Sequence, residues 1–89
     1  MFRLWGKLYR NHKMLCDYVF TDDDAEKNRT RKVFDGLEAI CHEFNLGVPL
    51  WLEGNISDFK KVAKTRFTAD SFMEDIDFDY LEIQIIEED

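Results

Sequence analysis

Phe2-Arg3-Leu4-Trp5-Gly6-Lys7-Leu8-Tyr9, then Arg10-Asn11-His12-Lys13, then Met14-Leu15-Cys16-Asp17-Tyr18-Val19-Phe20-Thr21: this opening stretch decides the fold. Both flanks are rich in aromatic and apolar residues, and the first alternates with a period of two, so each reads as a strand. Asn11-His12 suits a tight hairpin turn between them, because Asn tolerates positive φ. A two-residue turn sets Tyr9 opposite Met14, Lys7 opposite Cys16, Trp5 opposite Tyr18 and Arg3 opposite Phe20. One side of the hairpin then carries Phe2, Leu4, Leu8, Leu15 and Val19 and reads as the core face. The other carries Trp5, Tyr9, Met14, Tyr18 and Phe20 among the basic Arg3 and Lys7. A one-residue change of register would exchange these pairs.

Beyond the hairpin, Asp22-Asp23-Asp24 supplies N-cap candidates and negative charge suited to a helix start. Val33, Phe34, Leu37, Ile40, Cys41 and Phe44 recur at helical spacing on one stripe, which predicts a helix over about Ala25 to Asn45. Gly47 followed by Pro49 reads as its stop. Pro49 to Leu52 is a short apolar stretch with the character of an edge strand. Asn55 and Asp58 resemble a capping box, opening a second helix at about Ile56 to Lys64 whose packed side is Ile56, Phe59, Val62 and Ala63. Arg66 to Thr68 reads as a strand, Ser71 to Glu74 as one helical turn, and Phe78 to Glu87 as the last strand. The resulting order is ββα(β)αββ. It specifies an α+β domain, residues 1–89, with a small, mainly antiparallel sheet and two helices packed on one face.

Length and composition agree with a single small domain. A chain of 89 residues that is 45 % hydrophobic and 15 % aromatic can pack. At this size only roughly 60–65 % of the unfolded surface is buried, so association with another chain is a natural source of further stability. No apolar run approaches the ~20 residues of a membrane span, and no signal-peptide core opens the chain. Cys16 and Cys41 are too few for a disulfide scaffold and both fall on apolar faces, so they read as reduced core thiols in a cytoplasmic protein.

Charge is segregated by position. Ala69 to Asp89 hold nine carboxylates and no Lys or Arg, and all twelve basic residues lie between Arg3 and Arg66, within a net charge of −7. The acidic segment reads as a solvated edge, able to organise a partner's approach or to mask the chain's own basic patch.

Signals for catalysis are weak. His12 falls in the predicted turn, and His42 adjoins Cys41 on the first helix, where neighbours point about 100° apart and do not form a thiolate–imidazole pair. No nucleophile elbow, phosphate-cradling glycine loop or cofactor motif is present. Asp75, Asp77 and Asp79 share one face of an extended chain, the kind of oxygen cluster that hard cations take. An EF-hand loop opening there would need Gly at Tyr80 and Glu at Ile86. The expectation is therefore no catalytic residue, no cofactor and no required metal.

What remains are two candidate binding groups. The Trp5, Tyr9 and Tyr18 side of the hairpin, with Arg3 and Lys7, suits a protein interface, since aromatic and Arg side chains dominate interface hot spots. Basic–aromatic sheets also stack unpaired bases. Lys60, Lys61 and Lys64, near Arg66, form a candidate phosphate contact, although cations at a helix C-terminus also suit its dipole. The leading expectation is a non-catalytic interaction or accessory protein that binds protein partners or itself. The alternatives are a single-stranded nucleic-acid-binding module and an acidic mimic of nucleic-acid charge.

Overall fold

The computed structural model describes residues 1–88. Strands β1 (Phe2–Arg10) and β2 (Lys13–Asp22) form the hairpin, followed by helices α1 (Arg29–Glu43) and α2 (Glu53–Val62), strand β3 (Lys64–Phe67), a 3-10 turn at Ala69–Ser71 and strand β4 (Tyr80–Glu87). The four strands make one antiparallel sheet in the order β2-β1-β4-β3. This is the expected α+β domain, with the optional strand of the predicted order absent: Pro49 to Leu52 joins no ladder, and Leu50 N–H donates instead to Ser71 O at 2.8 Å.

One face of the sheet carries the core. Phe2, Leu4 and Leu8 of β1, Leu81 and Ile83 of β4 and Phe67 of β3 meet Val33, Leu37, Ile40 and Cys41 of α1 and Phe59 of α2. Two glycines let α1 lie close to the sheet. A Cβ at Gly6 would collide with Ile40, and one at Gly36 would stand 2.8 Å from both Leu4 Cδ2 and Phe20 Cδ2. Ile40 is fully buried and has no room to swing away. Gly6→Ala should therefore destabilise by about 1–3 kcal/mol through overpacking. A urea unfolding midpoint unchanged from wild type would show that α1 does not bear on β1 at this point.

The hairpin turn falls at Asn11-His12 as expected, with φ of 52° and 66°. The pairing beyond it differs. Tyr9 stands opposite Met14, but a bulge then leaves Leu15 unpaired, so Leu8 meets Cys16, Lys7 meets Asp17, Gly6 meets Tyr18, Trp5 meets Val19, Leu4 meets Phe20 and Arg3 meets Thr21. One extra residue inverts the side-chain parity of everything after it. Phe20 moves to the core face, Val19 leaves it, and Tyr18 goes to the side opposite Trp5.

The helices begin and end elsewhere than the sequence pattern implies. Asp22 and Asp24 accept the backbone N–H groups of Asp24 and Glu26 at 2.8 and 2.9 Å, holding this segment in turns. The cap of α1 is Asn28, whose side chain accepts from Arg31 N–H at 2.9 Å. At the other end the left-handed residue is Asn45 (φ 59°), not Gly47. In α2, Asn55 lies three residues inside the helix and accepts from Leu52 N–H at 3.0 Å. Its amide also donates to Thr65 Oγ1 (2.9 Å) and Arg66 O (2.8 Å), so one buried, fully bonded Asn pins α2 to β3. The packed side of α2 is thus Asn55 and Phe59, whereas Ile56 and Val62 are exposed.

The strand within the acidic segment is not an edge, although Asp75, Asp77 and Asp79 before it are exposed as expected. Strand β4 pairs with β1 on one side and β3 on the other, which places it inside the sheet. Its carboxylates and that of Glu88 just beyond it meet the cations of earlier strands and α1: Glu82 with Lys7 and Arg66, Glu87 with Arg3, and Glu88 with Arg29. For these three carboxylates, segregation of charge along the chain becomes pairing of charge in space.

Candidate interaction face

Opposite the helices, the sheet presents alternate residues of all four strands: Trp5, Lys7 and Tyr9 of β1, Val19 of β2, Tyr80 and Glu82 of β4, and Arg66 of β3. Period-two alternation puts them there, because Leu4, Leu8, Leu81, Ile83 and Phe67 point the other way into the core. No helix covers this face, yet its centre is closed. Lys7 and Glu82 are 6 % and 5 % exposed, a level otherwise found in the core.

The closure comes from long side chains lying flat across the sheet. Lys7 Nζ sits 2.7 Å from Glu82 Oε2 and 3.3 Å from Gln84 Oε1, and 4.0 Å from the centroid of the Trp5 ring. Arg66 Nε donates to Glu82 Oε1 at 2.9 Å, and its guanidinium lies 4.6 Å over Tyr80. Tyr80 stacks on Tyr9 with centroids 5.1 Å apart. Trp5 Nε1 donates to Asp17 at 2.8 Å, which fixes the indole across β2. Burial pushes the Glu82 carboxyl up, but hydrogen bonds and charge from Lys7 and Arg66 outweigh it, so it titrates below the usual carboxylate range. The Arg66 guanidinium is raised above its already high value by the bond to Glu82.

Of the residues singled out in the sequence, Arg3, Trp5, Lys7 and Tyr9 share this face. Tyr18 does not: the bulge at Leu15 turns it to the helix side, opposite Gly6. Lys7 is unavailable to a ligand, since it is buried and paired. Lys60, Lys61 and Lys64 do not form one cluster. Lys64 pairs in register with Gln84 on the open sheet face, while Lys60 lines a groove on the helix side. Tyr80 and Glu82 complete the arrangement and were missed. Their signal was present, because Tyr80, Glu82 and Gln84 alternate with the apolar Leu81, Ile83 and Ile85.

The remaining reactive groups are dispersed. Cys41 is buried, and burial alone pushes its thiol up to about 12, which leaves it unreactive at neutral pH. Cys16, read as a core thiol, is exposed on the edge strand β2. His42 is exposed on α1, and His12 lies in the hairpin turn. Asp79 accepts from Asn11 N–H at 2.8 Å, tying the acidic loop to the turn. Among the described residues, no group of three or more His, Cys, Asp or Glu side chains is placed to hold a metal ion, and no helix is long and apolar enough to cross a membrane. Comparison of the chain with models of known families, with curated proteins and with solved structures finds no match.

Proposed function

We propose that this protein is a non-catalytic interaction module that associates with a second copy of itself through the Trp5, Tyr9 and Tyr80 face of its sheet. The observation that carries this reading is that the cations of the face are engaged by carboxylates of the same chain. Lys7 and Arg66 are held by Glu82, and Arg3 by Glu87 at 3.2 Å, so the aromatic rings are left without free cations beside them, Lys64 excepted. A site for single-stranded nucleic acid needs the reverse, a field of unpaired cations along which the backbone can run. An aromatic surface whose arginine is paired with a carboxylate and stacked on tyrosine has the make-up of an interface hot spot. With these charges engaged within each chain, two copies related by a two-fold axis can meet through their rings. Two free cysteines, neither in a disulfide, suit a cytoplasmic setting.

The competing reading is tested with a fluorescent single-stranded oligonucleotide. The expected result at physiological salt is no saturable binding. Tight binding that weakens steeply as salt rises, and that Trp5→Ala abolishes, would replace self-association with nucleic-acid recognition by the same rings.

A further inference from the structure

A second surface lies on the helix side of the sheet, where the apolar stripes of the two helices meet. Between α1 and α2 runs a groove of about 300 Å³, walled by Phe34, Trp51, Ile56 and Phe59, with Arg29 and Lys60 at its rim. Phe34 and Ile56 occupy core positions in the helical periodicity of their segments, yet they are 50 % and 43 % exposed. Each points its apolar surface into the groove rather than into the sheet.

The groove has a firm floor. Trp51 meets Phe34, Phe59 and Phe67 edge to face, at centroid distances of 6.0, 5.5 and 5.1 Å, and Phe67 is fully buried. Trp51 Nε1 is sealed from solvent, so the part of the indole that faces the groove is carbon. The rim is cationic. Arg29 Nε already holds a carboxylate, that of Glu88, at 2.8 Å. The Lys60 ammonium has no hydrogen bond or ion pair with any described residue. An apolar trough with a free ammonium at its edge selects a molecule that is apolar along its length and anionic at one end. The volume stands at the small end of ligand sites, matching a ligand of about a dozen non-hydrogen atoms.

We propose that this groove binds a medium-length alkyl or aryl carboxylate, its apolar body against Phe34, Trp51 and Ile56 and its carboxylate at Lys60. The site lies on the layer opposite the self-association face and stands or falls independently of it.

The test is a titration of the full chain with decanoate, kept below its micelle threshold. It is read by Trp51 emission in a Trp5→Phe background, with decanol as the uncharged comparison. The expected result is one saturable transition complete below about 1 mM. Phe34→Asp should weaken it by about tenfold or more, since it places a charge on the apolar wall. Ile56→Asp should do the same from the opposite helix, and both positions are exposed enough for circular dichroism to show an unchanged fold. Lys60→Glu should weaken decanoate about fivefold while leaving decanol within about twofold. Absence of saturation, indifference to both wall substitutions, or equal binding of decanol and decanoate would each overturn the proposal.

Discussion

Glu82→Ala is expected to destabilise the protein by about 3–5 kcal/mol, because it leaves the Lys7 ammonium buried without its carboxylate. That is a large share of the roughly 5–15 kcal/mol by which a domain of this kind is stable. The cost comes from the orphaned charge and not from any large net value of the ion pair. Replacing both partners, as in Lys7→Met with Glu82→Leu, should therefore recover most of the loss. The same carboxylate makes stability depend on pH. Its folded pKa is depressed, so its contribution is complete above the unfolded value of about 4.3 and disappears as pH falls through the lower folded value. Glu82→Gln should flatten stability across that acidic window. Urea unfolding at neutral pH and at about pH 3.5 measures both effects. A Glu82→Ala midpoint equal to wild type would mean that Lys7 and Glu82 are solvated.

The second large effect belongs to the core. Leu37 is 1 % exposed at the centre of the α1 stripe, and Leu37→Ala should cost about 2–5 kcal/mol through lost burial and the cavity left behind. Its neighbour Glu38 faces solvent, so Glu38→Ala should change stability by less than about 0.5 kcal/mol. Thermal melts of the two variants check the helix phase directly. A greater loss for Glu38→Ala than for Leu37→Ala would place α1 with the wrong side on the sheet.

The elements were legible from the sequence to the extent that they are local. Alternation from Phe2 to Tyr9, an Asn in the turn, and the run from Val33 to Phe44 fix two strands and a helix, because each needs only its own residues. The bulge at Leu15 leaves no comparable mark. Met14-Leu15-Cys16 is uniformly permissive of a strand, and the extra residue shows only in the pairing with β1, which brings Phe20 against Gly36 of α1. Tyr18 was misplaced for that reason alone. Phe34 was misplaced because a helical stripe gives direction and not the extent of the neighbouring layer. The position of β4 was the least accessible feature. An acidic strand at the end of a chain suggests a solvated edge, and only the non-local pairing with both β1 and β3 brings Glu82 to Lys7 and Arg66. Only Glu82 and Glu87 of the nine carboxylates lie in β4, and the exposed Asp75, Asp77 and Asp79 before it keep the solvated character that the sequence suggests.

Self-association through the open sheet face is tested most directly by sedimentation velocity over a concentration series, for wild type and Trp5→Ala, at about 0.1 M and 0.5 M salt. Trp5 lies on this face with its indole bonded to Asp17 at 2.8 Å and carries little of the core, so its removal should leave the fold intact. The expected result is a concentration-dependent dimer that is nearly indifferent to salt and that Trp5→Ala weakens by about 30-fold, the loss of one hot-spot residue. A wild-type protein that stays monomeric at every concentration, or a dimer that Trp5→Ala leaves unchanged, would contradict it.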